Sequence, residues 1–310
     1  MVTIQMAKTL ENISLEAVDI HMHFEGVKAL QGATVLVTKN KLISLIGPNG
    51  SGKTTFFNVI TGWLSKTNPQ EAEEEMEGVD KRGLPDWFKS VPGWFKKRVT
   101  GKRNTSSNGS TPEGVGFVKF ENLRIEGLSA HEVALTGMMR TFQTTRNWPQ
   151  LTVLENLLVA AHKQTGEVFL NIFSKQKKIK EEERKNTLRA LEILEFLEVS
   201  HIRDQLGEEL SGGQLKLLAL GRLLMTTPRL ILLDEPMAGV NPTLGNKIMD
   251  KVLGLTQDST IFLIEHNMDV VFNYSNEIFV MARGKIIAQG TPDEIETNRD
   301  VIEAYLGADY

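Results

Sequence analysis

The stretch SLIGPNGSGKTTFFNVITG, residues 44–62, sets Gly47, Gly50 and Gly52, a lysine and two threonines between two apolar segments. Leu42, Ile43, Leu45 and Ile46 read as a short buried strand. Phe56, Phe57, Val59 and Ile60 recur at helical spacing. Between them the glycines let the backbone turn tightly and expose its N–H groups. Those groups, with the positive end of the following helix, make an anion site. The pattern G-x-x-x-x-G-K-[ST] is complete: Gly47, Pro48, Asn49, Gly50, Ser51, Gly52, Lys53 and Thr54, with Thr55 following. In that pattern the lysine reaches the outer phosphates of a nucleoside triphosphate and the threonine hydroxyl serves Mg²⁺. A chance glycine turn would not need the strand and helix that flank this one.

Working outward, the 310 residues suffice for one large domain or two small ones. Hydrophobic residues make up 41% and charged residues 24%, which excludes a wholly disordered chain. The net charge of −4 gives no electrostatic case for nucleic acid, and none is expected as a partner. There is no cysteine, so disulfides and cysteine metal sites are excluded, in keeping with a reducing compartment. The N-terminal residues lack a basic region followed by a long apolar run, so no signal peptide is expected. No window approaches 18 consecutive apolar residues, and the chain is not expected to cross a bilayer alone. These features predict a soluble, cytoplasmic nucleotide-binding protein.

Residues 13 to 46 look strand-rich, and the phosphate loop and its helix run on to about Leu64. The composition then changes. EAEEEME holds five glutamates in seven residues and KKRVTGKR five basic residues in eight, followed by the polar NTSSNGSTPEG. Trp87-Phe88 and Trp94-Phe95 lie between the acidic and basic blocks. Residues 65–114 therefore read as an insertion: either a solvated surface loop with solvent-facing charge runs, or a segment that folds in part through these pairs and docks on a neighbouring subunit or a membrane surface, leaving the ATP site intact. Residues 153 to 199 read as mostly helical, with Leu188, Leu191, Leu194 and Leu197 forming a broad apolar face. Buried strands reappear at RLILLDEP, 229–236, and STIFLIEHN, 259–267. Alternating helix and buried strand predicts an α/β fold with a mainly parallel sheet.

Two further stretches carry chemistry. RLILLDEP delivers Asp234 and Glu235 at a strand end, where they are expected beside the phosphate loop of a neighbouring strand. Asp234 would hold Mg²⁺ and Glu235 would orient or deprotonate an attacking water. ELSGGQLKLLALGRLLM, 209–225, sets Ser211, Gly212, Gly213 and Gln214 before an apolar helical run, a second anion cradle.

The phosphate loop, LSGGQ and the Asp-Glu strand together resemble the ATP-binding cassette (ABC) family. The resemblance covers roughly residues 13 to 64 and 114 to 290. It implies a P-loop NTPase core of ABC ATPase type, an antiparallel β layer and a helical subdomain at about 144–226. Within MMRTFQ, Gln143 matches the glutamine that contacts Mg²⁺ and water. His266 in IEHN matches the histidine at the γ-phosphate, and Phe24 in HFEGVKAL the aromatic that stacks on adenine. PMAGVNP matches the D-loop, with Asn241 where most families carry aspartate. The family's head-to-tail dimers imply that Ser211 and Gly213 act on the ATP of a partner subunit.

A finer resemblance lies in TGMMRTFQTTRNWPQLTVLENLLVAAH, DEPMAGVNP, LIEHNMDVV and GKIIAQGTPDEIETNRDVIEAYLG, which are similar to ATPases of branched-chain amino-acid (LIV-type) importers. It implies an ATP- and Mg²⁺-dependent ATPase at the cytoplasmic face of the plasma membrane, peripheral to it. The implied partners are two transmembrane permease subunits, a second ATPase subunit (a heterodimer, or else a homodimer) and an extracytoplasmic substrate-binding protein. Urea or short-amide import, or export by another ABC subfamily, are the alternatives. Soluble translation factors and repair ATPases fit less well, with one signature and no sustained heptads here.

Overall fold

The computed structural model describes residues 12–24, 27–64, 116–141, 147–162, 164–167, 171 and 174–306. Residues 65–114, expected from sequence to be an insertion, with their Trp-Phe pairs, and Gln143 lie outside the described residues. The chain divides into two compact units. The first comprises Met1–Met139, Leu230–Leu232 and Thr256–Tyr310, the second Arg140–Arg229 and Leu233–Leu255.

The first unit holds a four-stranded sheet in the order β2-β1-β4-β5. Its strands β1 (Ile13–Phe24), β2 (Val27–Thr38), β4 (Phe117–Phe120) and β5 (Leu123–Arg124) are all antiparallel where paired. A second sheet has the order β10-β9-β3-β8-β7-β6. In it, β3 (Leu42–Ile46) pairs in parallel with β8 (Thr260–Ile264) and β9 (Glu277–Ala282), while β10 (Lys285–Gly290) returns antiparallel. The remaining strands are β6 (Met138–Arg140) and β7 (Leu230–Asp234). Every residue of β3, β7 and β8 is buried, as continuous apolar runs covered on both faces require. Strand β8 stands between β3 and β7, so the acid-bearing strand is not the immediate neighbour of the phosphate-loop strand. Adjacency in sequence reading missed this because β8 arrives later in the chain and inserts between them.

Helix α1 (Lys53–Ile60) buries Phe56 and Phe57 against Phe262 of β8, with ring centroids 6.5 and 5.0 Å apart. These rings join Leu15, Leu30, Val35 and Phe120 of the antiparallel layer in one core. A separate cluster of Ile46, Ile278 and Val280 with Val271, Ile295 and Val301 covers the other side of the strands. It is contributed by α7 (Met268–Tyr274), α8 (Pro292–Glu296) and α9 (Arg299–Leu306). The short α2 (Ala130–Leu135) completes this unit, begun by a Ser129–Glu132 capping box.

The second unit packs α3 (Val153–Val159) on α4 (Gln176–Phe196) and α5 (Gly212–Leu224), and adds α6 (Pro242–Gly254). Gly221 makes the crossing possible: a Cβ there would already touch Leu197, Ile193 and Leu157 at 3.2 to 3.5 Å. The buried stripe of α4 is Ala190, Ile193 and Leu194, continued by Leu197, whereas Leu188 is 49% exposed. The expected leucine face is corrected accordingly. Residues three apart drift by about 60° per step at 3.6 residues per turn, so Leu188 and Leu197 fall on opposite sides. No helix among the described residues is long and apolar enough to cross a membrane.

Candidate nucleotide site

In the first unit the phosphate loop is shaped by its own neighbours. Gly47 follows β3 with φ 148°, and a Cβ there would lie 2.0 Å from the Met281 carbonyl oxygen. Gly52 caps α1 with φ 109°, and its Cβ would meet the Ala29 carbonyl at 2.6 Å. Both positions therefore demand glycine on two counts. Lys53 is 6% exposed, and its Nζ donates to the carbonyls of Gly47 at 2.8 Å and Pro48 at 3.1 Å, and to Ser51 Oγ at 3.5 Å. The ammonium is thus held inside the loop by the loop itself. Thr54, the next residue, is exposed, as are Asn49 and Gly50.

The loop is braced from the turn between β9 and β10. Gly284 N–H donates to the Ser51 carbonyl at 2.8 Å, and Gln31 N–H to the Gly284 carbonyl at 2.8 Å. Helix α9 reaches it too: the Tyr305 phenol oxygen accepts the Gly47 N–H. Burial pushes the Tyr305 hydroxyl from 10.0 up to about 12, against the smaller opposing pull of that N–H. At the end of β8, Glu265 is buried and its carboxylate accepts the N–H groups of His266 at 3.0 Å and Asn267 at 3.4 Å. This acid sets the turn that leaves His266 exposed. Phe24 closes β1 opposite Val27 and is 41% exposed, an aromatic at a strand end.

The second unit carries the acids and the signature. Asp234 is 3% exposed, and its Oδ2 accepts an N–H from Arg140 Nη2 at 2.6 Å; the Arg140 side chain is 6% exposed. Its Oδ1 is buried with no hydrogen-bond partner. A buried carboxylate oxygen left without a donor suits a cation or its bound water, so Asp234 fits the expected Mg²⁺ role. Glu235 follows with φ 50°, in the left-handed region. Ser211 starts α5 with a capping box: its Oγ accepts Gln214 N–H at 3.4 Å and Gln214 Oε1 accepts Ser211 N–H at 2.8 Å. At Gly213 a Cβ would meet the tip of the Leu244 side chain of α6 at 2.2 Å, so that side chain would have to shift. At Gly212 a Cβ would meet nothing within 4 Å. Asn241 caps α6 through Leu244 N–H at 2.9 Å. Aspartate in that position would cap equally well, so the cap itself does not distinguish the two residues.

Sequence reading missed three residues that touch this machinery: Arg140 on Asp234, Lys216 beside Glu235, and Tyr305 on Gly47. All three stand inside stretches already singled out, but nothing in local spacing marks them.

The ABC transporter family profile matches residues 30–92 and 108–238, leaving 93–107 of the charged stretch outside the match. A C-terminal profile described as branched-chain amino acid ATP-binding cassette transporter matches residues 285–310. The "Probable branched-chain amino acid transport ATP-binding protein LivG" of Methanocaldococcus jannaschii is 38% identical over 308 residues, 97% of this chain and all of that protein. The "High-affinity branched-chain amino acid transport ATP-binding protein BraF" of Pseudomonas aeruginosa is 32% identical over 94% of this chain and 97% of its own length. Among solved structures, a nucleotide-free ATP-binding cassette from an ABC transporter superposes with a TM-score of 0.68 at 36% identity, covering 94% of this chain and 98% of that one. The ADP conformation of a cassette gives 0.67 at 33%, covering 95% and 99%. The chain belongs to the ABC transporter family, as an ATP-binding cassette subunit with ATPase activity.

Proposed function

We propose that this chain is the ATP-hydrolysing subunit of an importer for branched-chain amino acids. The observation that carries the reading is the match of residues 285–310 to the branched-chain amino acid cassette profile, beyond the general ABC match. The subunit would lie peripherally on the cytoplasmic face of the membrane, with two permease subunits, a second ATPase subunit and an extracytoplasmic substrate-binding protein. The division into compact units supports a helical subdomain at about 144–226. In this reading the chain is a single cassette, with residues 65–114 inserted in it.

In this reading Gly47–Thr55 wrap the phosphates and Phe24 stacks on the adenine. Lys53 exchanges its loop carbonyls for the β- and γ-phosphate oxygens. Thr54, Asp234 and Gln143 hold Mg²⁺, which neutralises phosphate charge when bound. Glu235 accepts a proton from the attacking water, while His266 donates to the γ-phosphate. Ser211, Gly212, Gly213 and Gln214 address the ATP of the partner subunit, so that binding closes the dimer and hydrolysis reopens it. The open face at Gly212 favours this assignment, since nothing among the described residues fills it.

The test is reconstitution of the chain with its permeases and binding protein. Leucine, isoleucine or valine loaded on the binding protein should stimulate ATP hydrolysis. Stimulation by urea or amides alone would replace the cargo, and hydrolysis coupled to outward movement without a binding protein would replace the importer.

A further inference from the structure

Lys216 lies on α5, two residues beyond Gln214. Its ammonium donates to the carbonyl oxygens of Pro236 at 2.8 Å, Glu235 at 3.4 Å and Ala238. An ammonium has three N–H donors, and this one backbone turn offers it three carbonyl acceptors. That turn is strained at Glu235, whose φ of 50° places a side-chain-bearing residue in the left-handed region. The conformation costs about 1–2 kcal/mol in an isolated chain. It also brings carbonyl dipoles together, an arrangement that a cation between them stabilises. The turn is closed by Ala238 N–H to the Glu235 carbonyl at 3.2 Å, and α6 starts just beyond it at the Asn241 cap. On the preceding residue, Arg140 holds the Asp234 carboxylate at 2.6 Å. Glu235 is therefore flanked by an anchored side chain on one side and an anchored backbone on the other.

We infer that Lys216 is a positioning residue for hydrolysis: it holds Glu235 in the left-handed conformation that sets the direction of its carboxylate. Helix α5 thereby joins the element addressed to the partner's ATP with the group that acts on the chain's own. The inference rests on the reading of Glu235 as the base.

The experiment is a double-mutant cycle in the full chain, with single-turnover hydrolysis, ATP affinity and melting temperature measured together. Lys216→Met is expected to lower kcat on the order of 10- to 100-fold, with KM and ATP affinity unchanged. Lys216→Arg should restore part of the rate. In a Glu235→Gln background Lys216→Met should have no further effect, because the group it positions is gone. Equal losses in both backgrounds, or wild-type kcat for Lys216→Met beside an inactive Glu235→Gln, would overturn the inference while leaving the base in place. Full activity of Glu235→Gln would instead overturn the reading of the base itself, and this inference with it. Should Lys216→Met fail to fold, Lys216→Gln, which keeps donors with no charge, carries the same cycle.

Discussion

Two glycine-rich cradles at helix N-termini, Gly47–Thr54 and Ser211–Gln214, draw on the same physics and are finished differently. The first is enclosed by its own unit. Backbone carbonyls of Met281 and Ala29 fill the space a Cβ would need, Gly284 and Tyr305 brace the strand side, and Lys53 satisfies itself on the loop. The second is stapled at its base by the Ser211–Gln214 box and by the close approach of Leu244 to Gly213, but Gly212 faces open space. In the proposed function the enclosed cradle would bind its phosphates alone, and the open one would be completed by the partner's ATP. Glycine has a different reason in each, conformational and steric at Gly47, relief of a side-chain contact at Gly213, and neither within the unit at Gly212.

The largest expected effect tests that difference directly. Gly47→Ala must both adopt a left-handed backbone and clear a carbonyl 2.0 Å away, so urea denaturation should show a loss of about 3 kcal/mol or more. Gly212→Ala should stay within about 1 kcal/mol of the parent, since alanine favours a helix start and meets nothing. Comparable losses at the two positions would break the contrast.

Next comes nucleotide binding by the isolated chain. Lys53→Ala removes a charged donor from the phosphates and should weaken ATP binding by about 10- to 100-fold, from roughly 1.5–3 kcal/mol for such a bond. Ser211→Arg should leave that affinity unchanged and instead impair closure of the dimer around the partner's ATP. Equilibrium titration with a fluorescent ATP analogue separates them, and equal weakening by both would sink the idea of a signature that acts across subunits.

Motif residues were legible in the sequence because their chemistry is local: a strand, a glycine turn and a helix start occupy adjacent residues from Leu42 to Ile60. The capping box at Ser211 is legible for the same reason, three residues apart. The ligands of those motifs are not. Arg140 meets Asp234 across 94 residues, and Tyr305 reaches Gly47 from the far end of the chain. Such pairs depend on which strands become neighbours, and the insertion of β8 between β3 and β7 shows how sequence order misleads there. Leu188 misled differently: leucines three apart drift around the helix, and a drift read as one broad face carries Leu188 to the side opposite Leu197 within nine residues.

Tyr305 offers a smaller effect with a pH signature. Tyr305→Phe removes one hydrogen-bond acceptor from Gly47 and should cost about 1 kcal/mol in stability at neutral pH. The phenol is harder to ionise in the folded chain, about 12 against 10.0 for the free group. Its raised value means that the folded state holds the proton more tightly than the unfolded state. The contribution is therefore full below pH 10 and is lost as pH rises towards 12. Stability measured from pH 9 to 12 should fall more steeply in the parent than in Tyr305→Phe, and parallel slopes would remove Tyr305 from the brace.

The smallest effect is expected at Asn241, where the family resemblance implies aspartate. Its side chain is spent locally, accepting the Leu244 N–H at 2.9 Å as α6 begins with Pro242 behind it. Aspartate offers the same oxygen in the same place and adds a charge favourable at a helix N-terminus, worth a few tenths of a kcal/mol. Asn241→Asp should thus change stability by less than about 0.5 kcal/mol. Asn241→Ala, which removes the cap, should cost about 1 kcal/mol. Because α6 also carries Leu244 against Gly213, the alanine variant should disturb the open cradle while Lys53 and its loop remain as they are. The comparison is read by measuring ATP affinity of the isolated chain beside closure of the dimer in both variants. A loss of affinity in Asn241→Ala without loss of closure would mean that α6 supports the enclosed cradle rather than the open one.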